Sequence, residues 1–122
     1  MASLSFKVEA HLISKGKSAE DAATITADES QVVLQNDGAG DYIKTWTVSG
    51  ITKPTNSELT AADTEGTKLQ NNFITRKKRK REYGGIGDQL DLLYKDLVAG
   101  KADATGEWAK AVKKVKDDNP LS

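Results

Sequence analysis

Residues 83–120 read YGGIGDQLDLLYKDLVAGKADATGEWAKAVKKVKDDNP. Apolar residues recur at Ile86, Leu90, Leu93, Tyr94 and Leu97, the i, i+4, i+7, i+8, i+11 spacing that sets them on one side of a helix. Gly100 stands where a left-handed C-cap ends a helix. Thr105 can cap a second helix, whose stripe is Trp108, Ala111, Val112 and Val115 and which stops before Pro120. Lys110, Lys113, Lys114 and Lys116 suit that helix because cations towards its C-terminal end complement the macrodipole. The stretch predicts a helical hairpin packed through Ile86, Leu90, Leu93, Tyr94, Leu97, Trp108, Val112 and Val115.

The segment before it predicts a long helix. Pro54 ends an extended region, and Thr55 followed by Glu58 three residues later forms a capping-box pattern. Leu59, Ala62, Leu69 and Phe73 recur at helical intervals, and Gly66 between them costs about 1 kcal/mol relative to alanine. The helix is expected to run to Arg81 and stop at Gly84 and Gly85. It carries too few apolar residues to be buried all round. It reads as an exposed rod or as one member of an oligomeric bundle, with Leu59, Leu69 and Phe73 as the candidate subunit contact.

Towards the N-terminus the pattern is β-like. In SFKVEAHLI, Phe6, Val8, Ala10 and Leu12 alternate with Lys7, Glu9 and His11, the period of a half-buried strand. ATITA reads as a further short strand. QVVLQ and DYIKTWTVSG flank the cluster NDGAG, which predicts a β-hairpin with Tyr42, Trp46 and Val48 on a packed face beside the Lys44 stem. The expected fold is α+β: an antiparallel β region over 1–53, a central helix over 54–82 and a helical hairpin over 83–122.

Composition bounds the rest. Of 122 residues, 37% are hydrophobic and 30% charged, which predicts a thin core and a partner that supplies part of the buried surface. There is no cysteine, so disulfides and thiolate metal sites are excluded. No apolar run approaches the roughly 20 residues needed to span a bilayer. The N-terminus lacks the basic start and apolar stretch of a signal peptide, so the expectation is a soluble protein made in the cytoplasm. The net charge of zero hides a pattern. Residues 1–75 carry a net −4, residues 82–122 a net −2, and the six residues Arg76, Lys77, Lys78, Arg79, Lys80 and Arg81 a net +6. This run is a candidate contact for a polyanion or a protein partner. Six consecutive cations on a helix point in every direction and cannot line one groove, and only Phe73 and Tyr83 are near enough to interleave. A solvated helix end paired with acids of the same or a neighbouring chain is the favoured reading, with nucleic acid second.

Chemistry-bearing patterns are sparse. His11 is the single histidine, placed on the polar side of the expected strand. Asn36, Asp37 and Asp41 around NDGAGD offer oxygen ligands, but the spacing and distal glutamate of a calcium loop are missing, and a hairpin turn is favoured. No nucleophile elbow or phosphate loop is present. Asp88 and Asp91 suit the first turns of a helix. Trp46 and Trp108 read as packing anchors. The expectation is a protein without catalytic residues, metal or cofactor.

The pattern around residue 83 resembles the C-terminal module of small tail-associated proteins of tailed bacteriophages. That module has an aromatic residue, a short turn, I-G-[DE]-Q-L-D-x-L-[YW], a glycine, and an amphipathic helix ending V-K-x-x-N-P. Here these are Tyr83, Ile86, Gly87, Asp88, Gln89, Leu90, Asp91, Leu93 and Tyr94, then Gly100, Trp108, Val115, Lys116, Asn119 and Pro120. The upstream VVLQNDGAGDYIKTWTVSGITKPTNSEL is also similar, so the resemblance covers the chain from about residue 31, and it is to versions in phages of marine cyanobacteria. Two features depart from it: Gly84-Gly85 replaces a Pro-Ser turn, and the basic run is stronger. The resemblance implies a virion location and a structural tail or tail-fibre role. It also implies partners among other virion tail proteins and a homo-oligomeric state; no membrane contact is expected, because no apolar run is long enough to span a bilayer. A tail-assembly chaperone or a nucleic-acid binder acting through 76–81 is the alternative.

Overall fold

The computed structural model describes residues 1–122, which form an α+β chain of six helices and one two-stranded sheet. In order these are α1 (Leu4–Ser14), α2 (Ala19–Ala27), β1 (Val32–Asn36), β2 (Asp41–Trp46), α3 (Asn56–Ala61), α4 (Asp63–Glu82), α5 (Ile86–Val98) and α6 (Glu107–Asp118). The chain divides into two compact units, 1–70 and 71–122, with the division falling inside α4.

The first unit overturns the expectation of an N-terminal β region. SFKVEAHLI lies in α1 and ATITA in α2, and only the hairpin is extended. The alternation at Phe6, Val8, Ala10 and Leu12 coexists with a helical set, Val8, His11 and Leu12 at i, i+3 and i+4. The helix buries that set: Val8 and Leu12 are fully enclosed. His11 therefore sits inside and not on a polar strand face. Gly16 closes α1 in a Schellman motif, with φ of 102°. Its N–H donates to the Ile13 carbonyl, and that of Lys17 donates to the Leu12 carbonyl. Ser18 then caps α2 by accepting from the Asp21 N–H.

β1 and β2 pair antiparallel around a turn with positive φ at Gly38 and Gly40. The Asn36 side chain accepts from the Gly38 N–H and donates to Asp41, and the Tyr42 hydroxyl donates to Asp37, so the three oxygen-bearing residues of NDGAGD are used in the turn itself. The register pairs Val33 with Thr45 but Leu34 with Ile43, so Lys44 is the extra residue of a bulge. The bulge changes which side chains face inward. Ile43 is buried, whereas Tyr42 and Lys44, expected on the packed face, are exposed. Trp46 and Val48 do pack, and the Trp46 indole donates to the Ile51 carbonyl.

The core of this unit is Val8, Leu12, Ala22, Val32, Ile43 and Val48, with Leu59 among the half-buried residues packed on it. Leu59, expected at a subunit contact, thus packs half-buried on the core of its own unit. Thr55 and Glu58 form the expected capping box. The expected single helix is interrupted at Ala62, the C-cap of α3, and α4 begins at Asp63. Gly66 is buried where α1 crosses α4. A Cβ there would lie 3.1 Å from Ala2 Cβ and 3.2 Å from the Lys7 amide nitrogen. The Ala2 N–H donates to Asp63 and that of Ser3 to Gln70, fixing the chain start along α4.

In the second unit, α5 and α6 form the expected helical hairpin and pack on each other. The only buried residues between 71 and 122 are Asp96, Gly106 and Asn119. This unit has no enclosed apolar core.

Candidate interaction surface

Two polar anchors hold the second unit together. The first joins α5 to α6. Thr105 does not cap α6, because its own N–H and hydroxyl bond Asp103. The N-cap is Gly106, whose side-chain-less Cα lets the Asp96 carboxylate of α5 reach the helix end. Asp96 accepts from the Glu107 N–H at 3.0 Å and from the Trp108 N–H at 2.8 Å, satisfying two of the orphan donors that begin a helix. A Cβ on Gly106 would lie 2.1 Å from the Lys101 carbonyl oxygen and 2.6 Å from Asp96 Oδ2. Gly100, with φ of 72°, turns the chain after α5 as expected. The Lys101 N–H donates to the Asp96 carbonyl, so Asp96 is tied through backbone as well as side chain.

The second anchor uses the basic run. Arg79 Nε donates to the Asn119 carbonyl at 2.7 Å and its Nη2 to the Lys116 carbonyl at 3.5 Å, placing a cation at the C-terminal end of α6. Asn119 donates in turn to Glu82 and to the Val115 carbonyl. One of the six basic residues is therefore structural. The five lysine–carboxylate ion pairs of the chain involve none of the run, so the expected pairing of these cations with acids of the same chain is absent. Arg76, Lys77, Lys78, Lys80 and Arg81 are exposed and leave α4 in all directions. Lys77 lies over the Phe73 ring at 4.4 Å, and with Ile74, Lys80 and Arg81 these two line an open groove of about 460 Å³. Of the expected α4 subunit contact, Leu69 is half-buried in the first unit and Phe73 is 46% exposed in the second.

The apolar stripe of the hairpin is only partly used. Leu93, Trp108, Val112 and Val115 are half-buried. Ile86 (77%), Leu90 (58%), Tyr94 (67%) and Leu97 (60%), expected to pack the hairpin, are exposed. Two helices side by side present one face each to the other. A stripe as wide as that of α5 overhangs this contact and leaves its outer half in solvent. Periodicity identified the apolar side of α5 but carried no information on what covers it. Val98, 72% exposed, continues the open face and was missed because it lies one residue past the expected stripe.

In the first unit a cleft of about 220 Å³ is lined by His11, Ser14, Lys15, Glu58 and Glu65 with small apolar residues. His11 Nδ1 is 4.0 Å from Glu58, and His11 Nε2 is buried without a hydrogen-bond partner. Burial pushes the imidazole pKa down, assisted by Lys15 and opposed by Glu58, so the ring is neutral. The Thr55 N–H holds the Glu58 carboxyl below its ordinary range. No group of three or more His, Asp and Glu side chains is placed to hold a metal ion, and no helix is long and apolar enough to cross a membrane.

No protein-family model matches this chain, and neither a curated protein nor a solved structure matches it.

Proposed function

We propose that this chain is a non-enzymatic interaction protein, a structural component of a bacteriophage virion that works at the tail or its fibres through protein–protein contacts. The observation that carries the interaction role is the open apolar face of α5 on a unit without an enclosed core. Contiguous exposed apolar surface on a small domain marks a binding site. The virion setting rests on the sequence resemblance of residues 83–120 and of the hairpin before them. The test is mass spectrometry of purified tailed particles from a lysate in which the chain is expressed from the phage that encodes it. Its peptides at a fixed stoichiometry to tail proteins are the expected result. Their absence from particles, with the chain abundant in the lysate, overturns the virion role and leaves an assembly factor.

A second reading is favoured by one observation, the five exposed cations of α4 that make no ion pair. Under it, residues 76–81 bind nucleic acid, with a log–log salt slope no steeper than about −4.5 when the five exposed cations each neutralise one phosphate. Binding that is flat between 50 mM and 200 mM salt removes it.

A further inference from the structure

We propose that one face of α4, built from Ile74, Lys77, Lys80 and Arg81 beside Phe73, docks an acidic peptide segment of a partner protein, one with an aliphatic or aromatic side chain ahead of its carboxylates. This face lies beyond the α5 surface and shares no residue with it. Arg79 sets its direction. The Arg79 bonds to the Asn119 and Lys116 carbonyls turn that side of α4 towards the end of α6. At about 100° per residue, Asn72, Thr75 and Glu82 fall within about 60° of Arg79. Asn72 and Thr75 are half-buried, and Glu82 accepts from Asn119. Phe73, Ile74, Lys77, Lys80 and Arg81 fall about 100–160° from Arg79, on the other side of the helix, and all five are exposed. Arg76 and Lys78 leave on the two flanks, each about 100° from the centre of this face. Three of the six cations therefore share one face, although the run as a whole points all ways.

Charge and apolarity together select the occupant. Glu82 is the only acid between residues 71 and 87, and it is turned to Asn119, so the face carries three cations and no carboxylate of its own segment. None of the three is in an ion pair. The same face holds Phe73 and Ile74, each about half exposed, with the Lys77 ammonium over the Phe73 ring. The apolar end at Ile74 and the cationic end at Lys80 and Arg81 lie about 10 Å apart along the axis, the span of about three extended residues. A peptide with an apolar side chain and carboxylates three residues later meets both ends, and carboxylates are the complement that cation clusters recognise. Nucleic acid meets one end only. A single face offers it three phosphate contacts, against about six to ten for a protein held to nucleic acid by charge. Lys77 also covers one ring face on which a base would stack, and a sugar–phosphate backbone places nothing apolar on Ile74.

The test is amide chemical-shift mapping by NMR on the full, isotope-labelled chain at about 0.15 M salt, where surface charge is already screened beyond about 8 Å. The probe is a synthetic peptide with one leucine three residues ahead of a run of glutamates. Saturating shifts confined to residues 73–81 are expected, with a Kd below about 1 mM. The same peptide with serine for its leucine binds about tenfold more weakly, a comparison that needs no variant of the chain. Ile74→Ser and Lys80→Glu each weaken the leucine peptide about fivefold or more, while Lys78→Glu changes it by less than about threefold. All three side chains are exposed, so the helix signal in circular dichroism stays unchanged. Absence of shifts up to about 1 mM peptide, shifts centred on α5, or equal binding of the serine peptide overturns the proposal. Tighter binding of single-stranded oligothymidine than of the leucine peptide overturns it too, and leaves nucleic acid as the occupant. Leu90→Ser leaves the peptide shifts unchanged, so failure here does not touch the α5 surface, and failure of the α5 surface does not touch this one.

Discussion

The Asp96 cap gives the sharpest stability prediction, because two readings of the α6 N-terminus compete. By sequence, Thr105 is the cap; in the structure, Asp96 caps from the preceding helix and Thr105 bonds only Asp103. Asp96→Ala leaves the Glu107 and Trp108 N–H groups without acceptors at a site where Asp96 is 5% exposed. Loss of a cap costs about 0.5–2 kcal/mol, and partly buried donors left unpaired add to it, so about 2–3 kcal/mol is expected. Against a stability of roughly 3–8 kcal/mol for a unit spanning 71–122, that is a large fraction. Gly106→Ala acts at the same joint from the other side. Its methyl group cannot sit 2.1 Å from a carbonyl oxygen, so the loop from Lys101 must move and the carboxylate loses its approach. Thr105→Ala changes stability by less than about 0.5 kcal/mol. The assay is urea unfolding in a Trp46→Phe background, where Trp108 is the remaining tryptophan and reports on this unit. If Asp96→Ala lies within 0.5 kcal/mol of its parent, or Thr105→Ala costs more than Asp96→Ala, the cross-helix cap does not hold the hairpin.

Arg79→Ala should destabilise the same unit by about 1–2 kcal/mol through the lost bonds to the Asn119 and Lys116 carbonyls, while Lys80→Ala stays within about 0.5, as urea midpoints of the two variants will show. His11 is held neutral in the fold with its pKa below the ordinary 6.5, so its contribution is fully present above pH 6.5 and is lost as pH falls below it. Unfolding midpoints followed at Trp46 from pH 7.5 to 5 should decline less steeply in His11→Gln than in the parent. Glu9, which burial pushes above 4.5, and Glu58, held below it, dominate only at lower pH. Gly66→Ala gains about 1 kcal/mol of helix propensity but crowds the α1 backbone, and thermal melts should show a net loss of about 1 kcal/mol because main-chain atoms cannot step aside as a side chain can.

What was legible in the sequence follows from which signals are local. The α5 and α6 stripes, Gly100 and the Thr55–Glu58 capping box each lie within one helix or at its end, and all appear where expected. The α1 segment misled because its apolar residues satisfy period 2 and period 3.6 together. The deciding cues were at its borders, with Gly16 set to terminate a helix and Ser18 set to start one ahead of Asp21. The hairpin was legible as a hairpin, but the bulge at Lys44 shifts the inward face by one residue, and an extra residue in a ladder leaves no mark on the alternation. Asp96 capping α6 was out of reach, since the bond crosses a loop and depends on a glycine that reads as ordinary turn chemistry. Arg79 was similarly hidden inside a run of six cations, because only the position of the α6 end separates it from its neighbours.

The two units solve the same problem differently, and the difference bears on function. The first encloses Val8, Leu12, Ala22 and Val32 against Ile43 and Val48 by wrapping helices and a hairpin round one centre. The second has two amphipathic helices and the end of a third, too few layers to cover both sides of α5. Its fixed points are polar: a carboxylate on a helix N-terminus and a guanidinium on the C-terminus of the same helix. Such bonds specify how α5 and α6 lie but remove little apolar surface from water. The stripe they leave open is therefore the surface on which this unit gains most from a partner. Any copy or protein that covers it stabilises the folded unit by mass action. A stripe covered by its own chain would have no such dependence. Directional polar anchors with the apolar face turned outward fit a module that completes its core on assembly.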